Sequence, residues 1–116
     1  MRISKNNLNS SLKKEILNSF VQTLDDLNGV EEKRQFLEDF FNDLELETYA
    51  KRLAIAYWLK KQRSYENIKT NLKVSSATIA TVEKSLDKKG FKLALKKMEA
   101  EEWANVWAEK IKKIVK

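Results

Sequence analysis

The chain has 116 residues and a formal net charge of +6, with no cysteine, histidine or proline and two glycines. This composition excludes disulfides, thiolate chemistry, histidine acid–base catalysis and the usual zinc sites, and it leaves little to interrupt helices, so we expect no cofactor and no metal. One domain, 1–116, is expected from the length, and a cytoplasmic location from the lack of a membrane-spanning run or signal peptide.

The first predicted element after a mobile arm over residues 1–7 is a long amphipathic helix. Apolar residues recur at steps of three and four from Leu8 to Leu27, which is the helical period. Asn9 or Ser10 is suited to cap its start, and Asn28-Gly29 supplies a left-handed stop. Such a helix has more apolar face than a short chain can readily cover. We therefore expect a second copy of the chain to cover it, with packing inside one subunit as the alternative.

Two further helices are predicted before residue 64. The helix from about Glu31 to Phe41 carries an aromatic stripe, which we assign to the core, and Asn42-Asp43 resembles the start signal of the next helix. That helix covers about Leu44 to Lys61. Its predicted buried positions are Tyr49, Leu53, Ala56, Tyr57 and Leu59. Trp58 faces either the core or a partner.

The stretch from Ser64 to Leu86 has the pattern of a helix-turn-helix. Its apolar residues lie at offsets that two short helices crossing through a tight turn require, and they are Ile68, Leu72, Val74, Ile79 and Val82. The first helix is predicted over Tyr65–Asn71 with Ser64 as its cap, and the second over Ser76–Asp87 with Ser75 as its cap. Lys73 lies where such motifs often have a glycine in a left-handed conformation, which costs a lysine on the order of 1 kcal/mol.

The outer face of the second helix is the predicted DNA-reading surface. It carries small or polar side chains and one cation, namely Ser75, Ser76, Thr78, Ala80, Thr81 and Lys84. The residues expected to face bases are Ser76, Ala77, Ala80, Thr81 and Lys84. The residues expected to contact phosphates are Lys69, Lys73, Lys88 and Lys89, together with the backbone N–H groups at Ser75–Ala77.

The charge distribution favours a polyanionic partner for this part of the chain. Residues 1–50 hold six basic against ten acidic residues, whereas residues 51–116 hold seventeen against seven. Neutralising phosphates supplies most of the non-specific affinity for DNA, and a basic half suits that role. The alternative is that the lysines form an ordinary solvated face.

The C-terminal part is predicted to contain two more helices. Lys88-Lys89-Gly90 has the form of a helix end, followed by a short helix over Phe91–Met98 and a last helix over about Glu99–Val115. The last helix repeats Trp103, Trp107, Ile111 and Ile114, which we interpret as packing residues. The expected organisation is thus core and dimerisation helices over 8–63, the helix-turn-helix over 64–87 and C-terminal helices over 91–116.

The middle of the chain contains the runs AKRLAIAYWLKK (Ala50–Lys61) and SYENIKTNLKVSSATIATV (Ser64–Val82). These two runs resemble the tryptophan-repressor-like superfamily of small bacterial regulators. The resemblance implies an all-α bundle of five to six helices with a helix-turn-helix. It also implies an intertwined homodimer whose two helix-turn-helix heads enter successive major grooves of duplex DNA. Arg52 matches one of two arginines that hold the amino-acid corepressor in the tryptophan repressor. The second would fall at Thr81, which is uncharged, so we do not expect tryptophan sensing.

The sequence also bears on three functions other than a DNA-binding regulator. A helical protein-interaction module without DNA binding is the main alternative, with the first helix and Trp103/Trp107 as its interface. RNA binding is weaker, because no exposed aromatic platform is evident. An enzyme is not expected, because the paired carboxylates Asp25-Asp26, Glu31-Glu32 and Glu101-Glu102 are adjacent and diverge around a helix.

Overall fold

The computed structural model describes the backbone of residues 7–114 and the side chains of residues 7–102. The described residues form six helices and no strand, which confirms the predicted all-α class. The helices are α1 Ser10–Asp26, α2 Gly29–Phe40, α3 Asp43–Lys60, α4 Tyr65–Leu72, α5 Ser76–Glu83 and α6 Lys89–Ile114. None of the described helices has the length and apolar content needed to cross a lipid bilayer.

The chain divides into two compact units, one ending at Leu46 and one beginning at Glu47. In the first unit, local hydrogen bonds set the helix starts. The Asn9 side chain accepts from the N–H groups of Ser11 at 2.8 Å and Leu12 at 3.3 Å, as predicted for a cap. At the start of α3, Asn42 and Glu45 each accept from the other's backbone N–H, at 2.8 and 3.0 Å.

The apolar side chains of the first unit form a cluster that stays partly open. Phe20 of α1 meets Phe36 and Phe40 of α2, with ring centroids 6.3 and 5.5 Å apart. No residue of α1 or α2 is fully buried. Large apolar side chains on α1 and just before it flank the cluster and are 45–60% exposed, namely Leu8, Leu12, Ile16, Leu17 and Val21. The α1 apolar face is the name used below for these five residues.

The second unit contains the fully buried core. It joins four helices through Ile55 and Ala56 of α3, Ile68 of α4, Ile79 and Val82 of α5, and Leu95 of α6. The partly buried residues packed against it include Trp58, Leu72, Val74, Leu86 and Phe91. All five apolar positions predicted for the helix-turn-helix are therefore inside or against this core.

The predicted buried face of α3 was only partly right. Ala56 is buried and Tyr57 and Leu59 are half-buried, but Tyr49 and Leu53 are 45% and 38% exposed. The fully buried Ile55 was not predicted. Because α3 has apolar residues on nearly every side, periodicity alone did not identify the face that packs.

The predicted C-terminal elements also need correction. Gly90 does not stop a helix, since it is the second residue of α6 and Gly29 is the only described glycine with a positive φ. The helices predicted over 91–98 and 99–115 are one helix that ends at Ile114 in the described chain. The arm predicted over residues 1–7, apart from Asn7, and the side chains of Trp103, Trp107, Ile111 and Ile114 lie outside the described residues.

Candidate nucleic-acid interface

Helices α4 and α5 form the predicted helix-turn-helix, and side-chain caps begin both helices. The Ser64 hydroxyl accepts from the Asn67 N–H at 3.1 Å. The Ser75 hydroxyl accepts from the Thr78 N–H at 3.1 Å. These bonds satisfy N–H groups that have no partner within the helix, so both starts are set by local sequence.

The turn between α4 and α5 depends on Lys73. Its φ and ψ are 56° and 52°, the left-handed conformation that the sequence predicted there, and its N–H donates to the Lys69 carbonyl at 2.9 Å. A residue with a Cβ pays about 1 kcal/mol or somewhat more for this conformation. The chain therefore accepts local strain at the position that sets the path from α4 into α5.

The outer face of α5 is open along most of the predicted reading surface. Ser76, Ala77, Thr78, Thr81 and Lys84 are exposed, while Ala80 is half-buried. The inner face is closed, since Ile79 and Val82 are buried in the core. The helix thus presents a surface of small side chains with one cation at its end, which can approach a groove closely.

Hydrogen bonds within α5 distinguish the polar residues of this surface. The Ser75 and Thr78 hydroxyls lie 2.9 Å apart, and the Thr81 hydroxyl donates to the Ala77 carbonyl at 3.0 Å. The Ser76 hydroxyl forms no hydrogen bond with the described residues. Ser75 and Thr78 therefore organise the helix start, and Ser76 is the hydroxyl available for an external partner.

The four predicted phosphate-contacting lysines lie in four different parts of the second unit. Lys69 is on α4, Lys73 is the turn residue, and Lys88 and Lys89 were expected to close the recognition helix. That expectation was wrong, because α5 ends at Glu83 and Lys84 to Lys88 form turns, with the Ser85 N–H donating to the Val82 carbonyl at 2.9 Å. Lys89 is instead the first residue of α6.

A contact between Tyr65 and Glu83 joins the two helices and was not predicted. The Tyr65 hydroxyl donates to the Glu83 carboxylate at 2.6 Å, from the first residue of α4 to the last of α5. The hydrogen bond to Glu83, then partial burial, then the nearby negative charge raise the pKa of Tyr65 above its ordinary value of 10.0. The bond holds the one acidic side chain of α5 on the α4 side of the helix.

A shallow groove of about 450 Å³ lies elsewhere in the second unit, and Arg52 is on its wall. It lies between α3 and the start of α6, and its other lining residues are Tyr49, Leu53, Lys88, Gly90, Phe91 and Ala94. The Arg52 guanidinium sits 5.3 Å from the centre of the Tyr49 ring. Thr81, which stands in place of a second arginine, is not among the lining residues.

The two adjacent serines at the start of α5 give a matched pair for testing this geometry. Ser75→Ala removes the oxygen that accepts from Thr78 and should lower the free energy of unfolding by about 1 kcal/mol. Ser76→Ala removes a hydroxyl that has no partner among the described residues, so the free energy of unfolding should stay within about 0.5 kcal/mol of the wild-type value. Urea denaturation followed by circular dichroism measures both, and equal losses in the two variants would contradict the assignment of Ser75 as the cap.

The Tyr65–Glu83 bond predicts a specific pH dependence of stability. The pKa of Tyr65 is higher in the folded than in the unfolded chain. The bond therefore makes its full contribution to the free energy of unfolding below pH 10.0, and this contribution is lost as the pH rises through the pKa of Tyr65 in the folded chain. Tyr65→Phe should therefore be less stable than wild type at neutral pH, with the difference shrinking in alkali. Tyr57→Phe is the control, and a pH-independent difference for Tyr65→Phe would refute the assignment.

Comparison with known proteins identifies one matching family. The family described as Trp repressor protein matches residues 15–99, which is most of the chain and includes the whole of α2 to α5. Searches of curated proteins and of solved structures gave no significant match.

Proposed function

The chain belongs to the Trp repressor protein family, and from this premise we propose that it is a sequence-specific DNA-binding transcriptional regulator acting as a homodimer. The family consists of helical regulators rather than enzymes. The observation that carries the proposal is the geometry of α5. Ser75 caps its start, Ile79 and Val82 pack into the core, and the side chains on its outer face are mostly exposed to solvent.

In this proposal α5 enters the major groove of duplex DNA. Ser76, Ala77 and Lys84 make the closest approach to base edges, with the Thr81 methyl group and the edge of Ala80 beside them. Ser75 and Thr78 position the N–H groups at the helix start, which face a phosphate. The lysines that contact the backbone are Lys69, Lys73, Lys88 and Lys89.

The homodimer is supported by the α1 apolar face. Five large apolar side chains there are about half exposed, and a small monomer gains little by leaving such a face in water. A second copy of the chain can cover it, and two-fold symmetry would present two α5 helices. Their separation on bound DNA should be about 34 Å, one turn of the duplex.

We further propose that this regulator does not respond to tryptophan. A carboxylate ligand held between two cations loses much of its affinity when one is replaced by a neutral residue. Thr81 is neutral, and its hydroxyl already donates to the Ala77 carbonyl.

The main alternative is a protein-interaction module without DNA binding. The exposure of the α1 apolar face favours this alternative, since a helical segment of another protein could cover that face as well as a second copy of the chain could. The two functions differ in what they require of the helix-turn-helix, because only DNA binding requires the cations at Lys69, Lys73 and Lys84.

A salt titration of binding to duplex DNA tests the proposal. The logarithm of the affinity of the dimer should fall linearly with the logarithm of salt concentration. Lys69→Gln/Lys73→Gln should make the slope less negative by about 3.6, because two phosphate contacts are lost in each of the two subunits. Lys13→Gln/Lys14→Gln on α1 is the charge-matched control and should leave the slope unchanged. Fluorescence anisotropy of a labelled duplex measures each slope.

Two results would contradict DNA binding. One is the absence of binding by the wild-type protein at low salt, and the other is an affinity that does not change with salt. Thr81→Glu/Lys84→Glu gives an independent check, since two negative charges on α5 should abolish binding while leaving the helix content intact.

The dimer has its own test in a pair of adjacent residues on α1. Wild-type protein should sediment at about twice the chain mass of 13.6 kDa. Leu17→Lys, at a side chain that is 60% exposed, should shift the protein to monomer because it places a charge in the interface. Asn18→Lys is the control and should remain dimeric, whereas a monomeric wild type at DNA-binding concentrations would refute the dimer.

A further inference from the structure

The first turns of α6 carry a row of lysines that the helix-turn-helix does not include. Lys89, Lys92 and Lys96 follow one another at steps of three and four, so they lie on one side of the helix and form the α6 lysine stripe. All three side chains are exposed. The opposite side is occupied, because Leu95 is buried and Phe91 and Met98 pack against the core.

These lysines have no counter-charge within the described residues. None of them forms an ion pair with a described acidic side chain, and no acidic residue lies in the first turn of α6. Two acids further along the helix are paired with α3, since Glu99 lies 3.5 Å from Lys60 and Glu102 lies 3.0 Å from Lys61. The stripe is therefore an uncompensated band of positive charge.

The position of the stripe on the helix is unfavourable for the fold itself. The N-terminal end of a helix carries the positive end of its dipole, which stabilises acidic residues and destabilises cations. Lys89 and Lys92 lie in the first turn of α6, where an isolated helix would favour aspartate or glutamate. A role in folding does not account for these cations, whereas an external polyanion does.

The length and position of the stripe suit the backbone of one DNA strand. Lys89 and Lys96 are seven residues apart, about 10 Å along the axis, over which one strand of B-DNA carries about three phosphates. Lys89 is five positions after Lys84, which follows the end of α5, so their Cα atoms are at most about 18 Å apart. That is less than one turn of the duplex, about 34 Å.

We propose that the α6 lysine stripe binds phosphates of the same duplex, next to the segment that α5 contacts, and so extends the DNA footprint beyond the helix-turn-helix. This inference rests on the proposed DNA-binding function. The apolar side chains Phe91, Leu95 and Met98 of α6 pack into the core. Leu93 is exposed, but one apolar side chain is too little to hold a helix in a lipid surface, which favours DNA over an anionic membrane. Phosphate contacts carry no sequence information, so the stripe adds affinity equally on any sequence.

The test compares neighbouring lysines on a random-sequence duplex of about 30 base pairs, roughly three turns. In the bound homodimer each substitution removes one contact per subunit. Lys92→Gln/Lys96→Gln should therefore make the salt slope less negative by about 3.6, and Lys96→Gln alone by about 1.8. Lys97→Gln is the matched control, because that side chain lies about 100° around the helix from Lys96. Its slope should equal that of wild type, and equal slopes for Lys96→Gln and Lys97→Gln would overturn the proposal.

A second variant separates the stripe from folding effects. Lys92→Glu places an acid in the first turn of α6, so the melting temperature should rise while DNA affinity falls. A structural role for Lys92 predicts the opposite change in stability. An affinity equal to that of wild type, with or without the rise in melting temperature, would refute a phosphate contact at this position.

The failure of this inference differs from the failure of the proposed function. If wild-type protein does not bind the duplex, both are wrong. If wild type binds and Lys69→Gln/Lys73→Gln weakens binding but the stripe variants do not, only the α6 inference is wrong. Stripe-dependent binding to phosphatidylserine vesicles without such dependence on duplex DNA would also overturn it, in favour of a membrane surface.

Discussion

The second unit depends on one contact region, the buried core that joins α3, α4, α5 and α6. Its fully buried side chains are large and branched, with Ile55, Ile68 and Ile79 shielded completely from water. Burying side chains of this size stabilises a small domain by roughly 1.5–3 kcal/mol each, which is large beside a total stability of about 5–15 kcal/mol. The two short helices of eight residues would not be stable in water without it.

This core also determines which face of α5 is available. Ile79 and Val82 point into it, so the side chains on the other side of α5 must face outward. The caps at Ser64 and Ser75 and the left-handed Lys73 then set where each helix begins. The reading surface is therefore a consequence of packing, and the Tyr65–Glu83 bond at 2.6 Å ties the far end of α5 to α4.

Several features of the chain oppose its own stability and are concentrated near the proposed interface. Lys73 adopts a backbone conformation that favours glycine, and lysines occupy the N-terminal turn of α6. In the first unit, the α1 apolar face leaves large side chains half exposed. Each feature is costly for an isolated chain. The proposed partners would offset two of these costs, duplex DNA that of the α6 lysines and a second copy that of the α1 apolar face.

The sequence by itself determined the helical class, the caps, the Lys73 turn and the inner face of the helix-turn-helix. These features depend on neighbours within about four residues, or on a clear apolar period, and both can be read along the chain. The resemblance over residues 50–61 and 64–82 likewise lies within residues 15–99, which the family match covers. The individual DNA-contacting residues remain predictions.

Only the tertiary structure decided which side of α3 is buried, where α5 ends and that α6 is continuous through Gly90. Because α3 is apolar nearly all round, its packed face depends on Ile68, Ile79 and Leu95, which are distant in sequence. Gly90 stops a helix only when it adopts a positive φ, and the turns at Lys84–Lys88 had already changed the chain direction. The Tyr65–Glu83 bond spans eighteen residues, a separation at which local sequence carries no signal.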